Sequence, residues 1–280
     1  MKLKLLTLAV AAAFSVGAQA SVPIASGGVA ATIHDNGSFD DSATPGLSYM
    51  GVEFVNIDTP SSWWVFGKDP ASWTVAQYNS PALGSTTYAA GPAASTTLAF
   101  GSLSFFQTAS IVSSNQLAYV VSFTNNGPTA LTGMYYGVGI DPDQGGSTRN
   151  ETYNTVNAQG SGASVTAVRD NGRLNYSVTL ANTTSAAAVE ILAYVNLGDC
   201  CTWVNPQTVH ASVAQLGFQS YADDSISLAY DLGTIAPGQT VSIGYSYTFA
   251  ATPVPEPESY AMFLAGLGLM GFMARRRTRV

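Results

Sequence analysis

Val241-Ser-Ile-Gly-Tyr-Ser-Tyr-Thr-Phe249 alternates large apolar residues with small polar ones and glycine. In an extended chain, successive side chains point to opposite faces. Val241, Ile243, Tyr245, Tyr247 and Phe249 therefore share one face, leaving Ser and Gly on the other. Nine residues at period two leave little room for a helix. Leu117, Tyr119, Val121 and Phe123 repeat the pattern. Further extended runs are expected at Val29–Ile33, Val52–Ile57, Trp73–Tyr78, Leu98–Val112, Leu131–Ile140, Leu174–Leu180, Val189–Leu197 and Ile226–Leu232. Asn36-Gly37, Asn126-Gly127 and Asn171-Gly172 supply the positive φ that tight hairpin turns need, the last with Val165–Val168 before it and Leu174–Leu180 after. About ten strands with no intervening helical periodicity predict an all-β fold, an antiparallel sandwich of ten or more strands.

Two fragments, Val121-Ser-Phe-Thr-Asn-Asn-Gly-Pro-Thr-Ala-Leu-Thr132 and Leu232-Gly-Thr-Ile-Ala-Pro-Gly-Gln239, resemble pieces of bacterial surface β-sandwich repeats. The resemblance implies a hairpin at the first and the approach to the closing strand at the second. About 100 residues separate them, which favours one larger sandwich over a standard small module. No internal repeat of fixed period is present.

The two ends have a different character. Lys2 and Lys4, the apolar run Leu5–Val16 and Ala18-Gln19-Ala20 read as a secretory signal peptide, so the mature chain begins near Ser21. At the other end, Pro253, Pro255 and Pro257 fix φ at every second position and keep their neighbours out of the helical region, so this stretch is extended. Tyr260–Ala274 follows without a charge, about 22 Å of helix at roughly 1.5 Å per residue, against a hydrocarbon core of about 30 Å. Arg275, Arg276, Arg277 and Arg279 close it as a cytoplasmic stop.

This tripartite terminus resembles the PEP-CTERM sorting signal of Gram-negative bacteria, its motif standing here as Val254-Pro255-Glu256-Pro257. The resemblance implies that an exosortase cleaves the signal. The chain would cross by the secretion machinery and pause in the inner membrane through its apolar helix. Its body would then reach the cell surface or the extracellular polysaccharide matrix. The expected organisation is a leader at 1–20, a β-sandwich at 21–250, a proline-rich linker at 251–259 and an apolar helix with an arginine tail at 260–280.

Between the ends, Ser21–Ala251 holds four basic residues, Lys68, Arg149, Arg169 and Arg173, against fifteen acidic ones, a net of −11. Nucleic acid is excluded as a partner, because phosphate binding needs clustered Lys and Arg. Cys200 and Cys201 are adjacent and have three open readings: a bond to each other, separate thiols, or a link between chains. His34 and His210 stand alone, so no His/Cys metal motif exists.

Asp141-Pro142-Asp143-Gln144, with Asn150, Glu151 and Asn154 after it, places hard oxygen ligands on alternate residues, as Ca²⁺ prefers. The spacing fails the EF-hand pattern, and Asp-x-Asp equally suits a turn, so no metal or cofactor is assigned and Asp141 and Asp143 stand only as candidates. Asp40-Asp41 and Asp223-Asp224 read as solvated loop charges. Trp63, Trp64, Trp73 and Trp203 invite a sugar-stacking reading, but neighbours in a strand face opposite ways, which puts at least one of Trp63 and Trp64 in the core. Gly266-Leu-Gly268-Leu-Met-Gly271 matches a dinucleotide fingerprint without its strand or its acidic residue. With no nucleophile elbow or other catalytic motif, the expectation is a body that is not an enzyme, structural or adhesive, with polysaccharide as a partner. The alternative is a secreted carbohydrate-active hydrolase whose carboxylates converge in a cleft.

Overall fold

The computed structural model describes residues 21–253, apart from 56–58, 60, 70–72, 78–79, 81–82, 145–154, 161–162, 171–173 and 186–188, together with 262–267 and 269–270. The leader, the Val254–Pro257 motif, the Arg275–Arg277 stop, Asn150, Glu151, Asn154 and Asn171-Gly172 lie outside the described residues. Strands β1 (Val22–Ser26), β2 (Val29–Ile33), β3 (Leu47–Tyr49) and β4 (Val52–Glu53) pair in chain order as a small antiparallel sheet. After them come β5 (Ser62–Gly67), β6 (Thr74–Ala76), β7 (Gly84–Ala89), β8 (Ala93–Phe100), β9 (Leu103–Ser113), β10 (Gln116–Asn125) and β11 (Leu131–Ile140). The chain continues through β12 (Thr155–Gln159), β13 (Ser164–Asp170), β14 (Leu174–Asn182), β15 (Glu190–Asn196) and helix α1 (Pro206–His210). It ends in β16 (Gln219–Ala222), β17 (Ser225–Ile235) and β18 (Thr240–Pro253).

A nine-stranded sheet runs β16-β12-β13-β14-β18-β10-β9-β8-β7 and a five-stranded one β15-β17-β11-β5-β6, with antiparallel pairing throughout. The two sheets face each other across a layer of aromatic rings. Trp64 of β5 stacks on Phe105 of β9 at 4.9 Å, and Phe66 on Phe123 of β10 at 4.8 Å. Tyr119 stacks on Tyr245 at 4.8 Å, so the two alternating stretches supply the floor of the core from neighbouring strands. Offset stacking adds about 0.5–1.5 kcal/mol per pair to the burial itself. Away from the core, the hydroxyl pairs Ser122–Ser242 and Thr124–Thr240 bridge β10 and β18, each at 2.8 Å. The small sheet docks through Phe39 on Tyr247 and Phe54 on Phe249, and Trp64 Nε1 donates to the Asn36 carbonyl at 2.8 Å.

Several expectations require correction. Val52–Ile57 is a strand only over Val52–Glu53, and Leu98–Val112 is two strands that part at Gly101, whose φ is +60°. Asn126-Gly127 is no hairpin: β10 lies in the nine-stranded sheet and β11 in the five-stranded one, so the chain crosses between layers there. The buried Asn125 side chain shapes that crossover by accepting from Gly127 N–H and donating to the Thr129 and Ile235 carbonyls. It thereby ties the β10–β11 crossover to the β17–β18 one, where the second surface-repeat fragment sits.

β18 continues to Pro253, three residues into the stretch read as linker. Residues 262–267 and 269–270 are helical and exposed. Among the described residues no helix is long and apolar enough to cross a membrane.

Candidate functional site

The outer face of the five-stranded sheet is where the polar candidates gather. Paired positions share a face, so Gly137, Gly139, Ser227 and Ala229 of β11 and β17 lie beside Trp63 and Val65 of β5 and make a shallow bed of small residues. A Cβ on Gly139 would stand 2.2 Å from Trp63 Cζ2, and one on Gly137 would stand 3.1 Å from Pro206 of α1. The Trp63 indole thus lies against Gly139 on this face, while Trp64 faces the core from the other side. Both are buried, where only one was required.

At the end of β11 the Asp141 N–H donates to the Ser61 carbonyl at 2.7 Å, which turns the Asp141–Gln144 loop inward. Asp141 is 1% exposed and Asp143 4%. Asp223, from the turn between β16 and β17, joins them, and one carboxylate oxygen from each of the three lies within 4.8 Å of the others. Burial first, then the charges of Asp143, Asp223, Asp41 and Asp199, pushes the Asp141 carboxyl up to about 9. Burial and the neighbouring Asp224 raise Asp223 as well.

The reading of Asp40-Asp41 and Asp223-Asp224 as solvated loop charges is corrected for Asp40, Asp41 and Asp224, which are buried. Asp41 accepts from Ser61 N–H at 2.9 Å and Ser62 N–H at 3.3 Å, and Asp224 from Gly198 N–H at 2.7 Å and Ser220 Oγ at 2.8 Å. Each joins a loop to a strand end, a role that solvated charges do not fill. Depth also limits what the cluster can do, since Asp141 and Asp143 are out of reach of a glycosidic oxygen.

The Cys200 and Cys201 sulfurs are bonded to one another. Cys201 Sγ lies 3.8 Å from Asp141 Oδ2, and a disulfide sulfur carries no proton, so this is a contact and not a hydrogen bond. Two residues on, Trp203 meets Trp73 with ring centroids 6.2 Å apart and planes tilted by 44°. Both rings are half-buried at the surface. Exposed Asp69 holds Trp73 and ties it to the segment that follows Trp203: its Oδ1 accepts from Trp73 Nε1 at 3.0 Å and Asn205 Nδ2 at 3.1 Å, and its N–H donates to Gln207 Oε1 at 3.0 Å. Asn205 Oδ1 also caps α1 by accepting from Gln207 N–H at 2.9 Å. The residue order singled out the two tryptophans and read Asp223 as a solvated loop charge, but not Asp69 and Asn205, whose link to each other spans 136 residues.

Residues 253–277 match the family described as the PEP-CTERM protein-sorting motif. The chain carries that motif and is an exported protein, processed by an exosortase and directed to the cell envelope or surface. No curated protein matches the sequence. A chain from Escherichia coli K12, described provisionally as an aldose 1-epimerase, is similar in structure with a TM-score of 0.43 and 12% identity, over 84% of this chain and 100% of that one. A polysaccharide lyase is similar with a TM-score of 0.32 and 14% identity, over 68% of this chain and 25% of its own length. The expectation of a body that is not an enzyme is corrected by these findings, because both neighbours are described as enzymes. At such distance neither likeness assigns this chain a substrate or any residue a role.

Proposed function

We propose that the body, residues 21–250, is a matrix component of the cell surface that holds neutral polysaccharide on the Trp73–Trp203 platform. In this reading the leader at 1–20 is removed on export through the secretion machinery of a Gram-negative cell. The 260–280 segment holds the chain in the inner membrane until the exosortase acts in the 251–259 linker. The observation that carries the saccharide reading is the surface pair of indoles, of which Trp73 is held by Asp69. Flat apolar rings with a polar handle suit pyranose faces, and side chains already held in place lose little freedom on binding. Neutral glycans are favoured because the net charge of −11 over 21–251 repels acidic ones.

The test is binding of the full chain to arrays of neutral and acidic glycans, with Trp73→Ala and Trp203→Ala beside it. Each variant is expected to weaken neutral-glycan binding by about 3- to 10-fold, the equivalent of one aromatic contact. Absence of neutral-glycan binding by the wild type, or full binding by the double variant, overturns the reading.

A further inference from the structure

We infer that Asp141, Asp143 and Asp223 bind one calcium ion at the end of the five-stranded sheet, a site separate from the saccharide platform. Three observations converge on it. The three carboxylate oxygens lie within 4.8 Å of one another. Two opposite ligands on one calcium ion, each at about 2.4 Å, stand about 4.8 Å apart, so the set fits within a single coordination sphere. The donors are hard oxygens, and the two nearby sulfurs are bonded to each other and so offer no thiolate to a softer metal.

The second observation concerns Asp141 itself. Buried to 1% exposure, it has no N–H or O–H donor to its carboxylate among the described residues, since the Cys201 sulfur 3.8 Å from its Oδ2 carries no proton. A buried carboxylate in this situation takes up either a proton or a cation. Asp41, the other deeply buried carboxylate nearby, shows the contrast, since three donor groups of Ser61 and Ser62 surround it.

Third, the Oδ1 of Asp223 is buried and has no hydrogen-bond partner among the described residues. Asp223 lies on the turn from β16 of the nine-stranded sheet to β17 of the five-stranded one, while Asp141 and Asp143 extend β11. An ion held by all three would clamp the two layers together at this end. The Asp199–Trp203 segment would be fixed beside it, because the Asp199 carbonyl accepts from Ser225 N–H at 3.0 Å at the start of β17.

The full chain, stripped with EDTA, is titrated with calcium and separately with magnesium by calorimetry, and its thermal midpoint is followed. Expected are one calcium per chain with a dissociation constant of about 1 mM or tighter, the range of extracellular modules, a raised midpoint, and magnesium at least about tenfold weaker. Asp143→Asn and Asp223→Asn are each expected to weaken calcium binding at least about tenfold while leaving the calcium-free circular dichroism unchanged. Asp223 is partly exposed, so its variant tests the site even where Asp143→Asn disturbs folding. No calcium uptake by the wild type up to about 10 mM, equal affinity for magnesium, or wild-type calcium affinity in Asp223→Asn would overturn the assignment.

Discussion

Gly139→Ala is the sharpest perturbation available in the sandwich, because it adds a single carbon where the structure leaves no space. That carbon would sit 2.2 Å from Trp63 Cζ2, 2.4 Å from Cε2 and 2.9 Å from Cη2, whereas carbons in contact stand about 3.5–4.0 Å apart. The indole would have to retreat by more than about 1 Å. It has nowhere to go: Trp63 is 2% exposed, and its backbone is paired directly with Gly139 in the β5–β11 ladder. The glycine's backbone is ordinary extended chain, so space alone is at stake. Forced overpacking costs typically 1–3 kcal/mol, and a clash this deep belongs near about 3 kcal/mol. For a domain of this size that lowers the melting temperature by roughly 6–12 °C, at about 2–4 °C per kcal/mol.

The assay is urea unfolding and calorimetry of the full chain, run as a double-mutant cycle with Trp63→Leu, which removes the obstructing ring. In the Trp63→Leu background, Gly139→Ala should cost less than about 1 kcal/mol, and the difference is the coupling between the two positions. A single variant within about 0.5 kcal/mol of wild type refutes the reasoning, as does an equal penalty in both backgrounds.

Two further outcomes follow from local geometry. Burial pushes Glu53 up to about 7, against the pull of the backbone N–H groups of Leu47, Phe54, Gly46 and Val55. The folded chain then holds a proton that the unfolded chain releases above its ordinary pKa of 4.5, so this stabilisation is complete below about 4.5 and is lost as pH rises through about 7, by at most about 3 kcal/mol. Glu53→Gln should flatten the decline between about pH 5 and 8 relative to wild type, and identical slopes in urea unfolding would contradict it. Asn205→Ala removes the cap of α1 and a donor to Asp69, and should cost about 0.5–2 kcal/mol of stability. Indole fluorescence should change with it as the Trp73–Trp203 pair loosens, and an unaltered spectrum would speak against the bracing role.

The features legible in the chain were those whose physics is local. Period-two patterning located β10 and β14 because each buries one face and leaves the other more open, and β11 and β18 because large apolar residues alternate with small ones even where both faces are covered. β5 escaped because it is buried on both faces and shows no alternation, and β7 because its Ser/Thr-rich sequence carries no apolar face. A processing signal read as an extended peptide is linear by nature, so the match over 253–277 was already present in the residue order. Whether Asn126-Gly127 makes a hairpin or a crossover depended on which sheet each flanking strand joins, a matter of packing that no four-residue turn contains.

The candidate sites divide the same way. Asp141 and Asp143 could be singled out because they stand two residues apart, but Asp223 follows 82 residues after Asp141, and Trp203 follows Trp73 by 130. What residue order determined alone was an exported chain of antiparallel strands with an address at its end, since strand patterning and peptide signals depend on neighbours along the backbone. What only tertiary structure decided was which carboxylates are buried together and which indoles meet at the surface. Those outcomes follow from two sheets closing over a shared aromatic core, which brings loops together without regard to their distance in sequence.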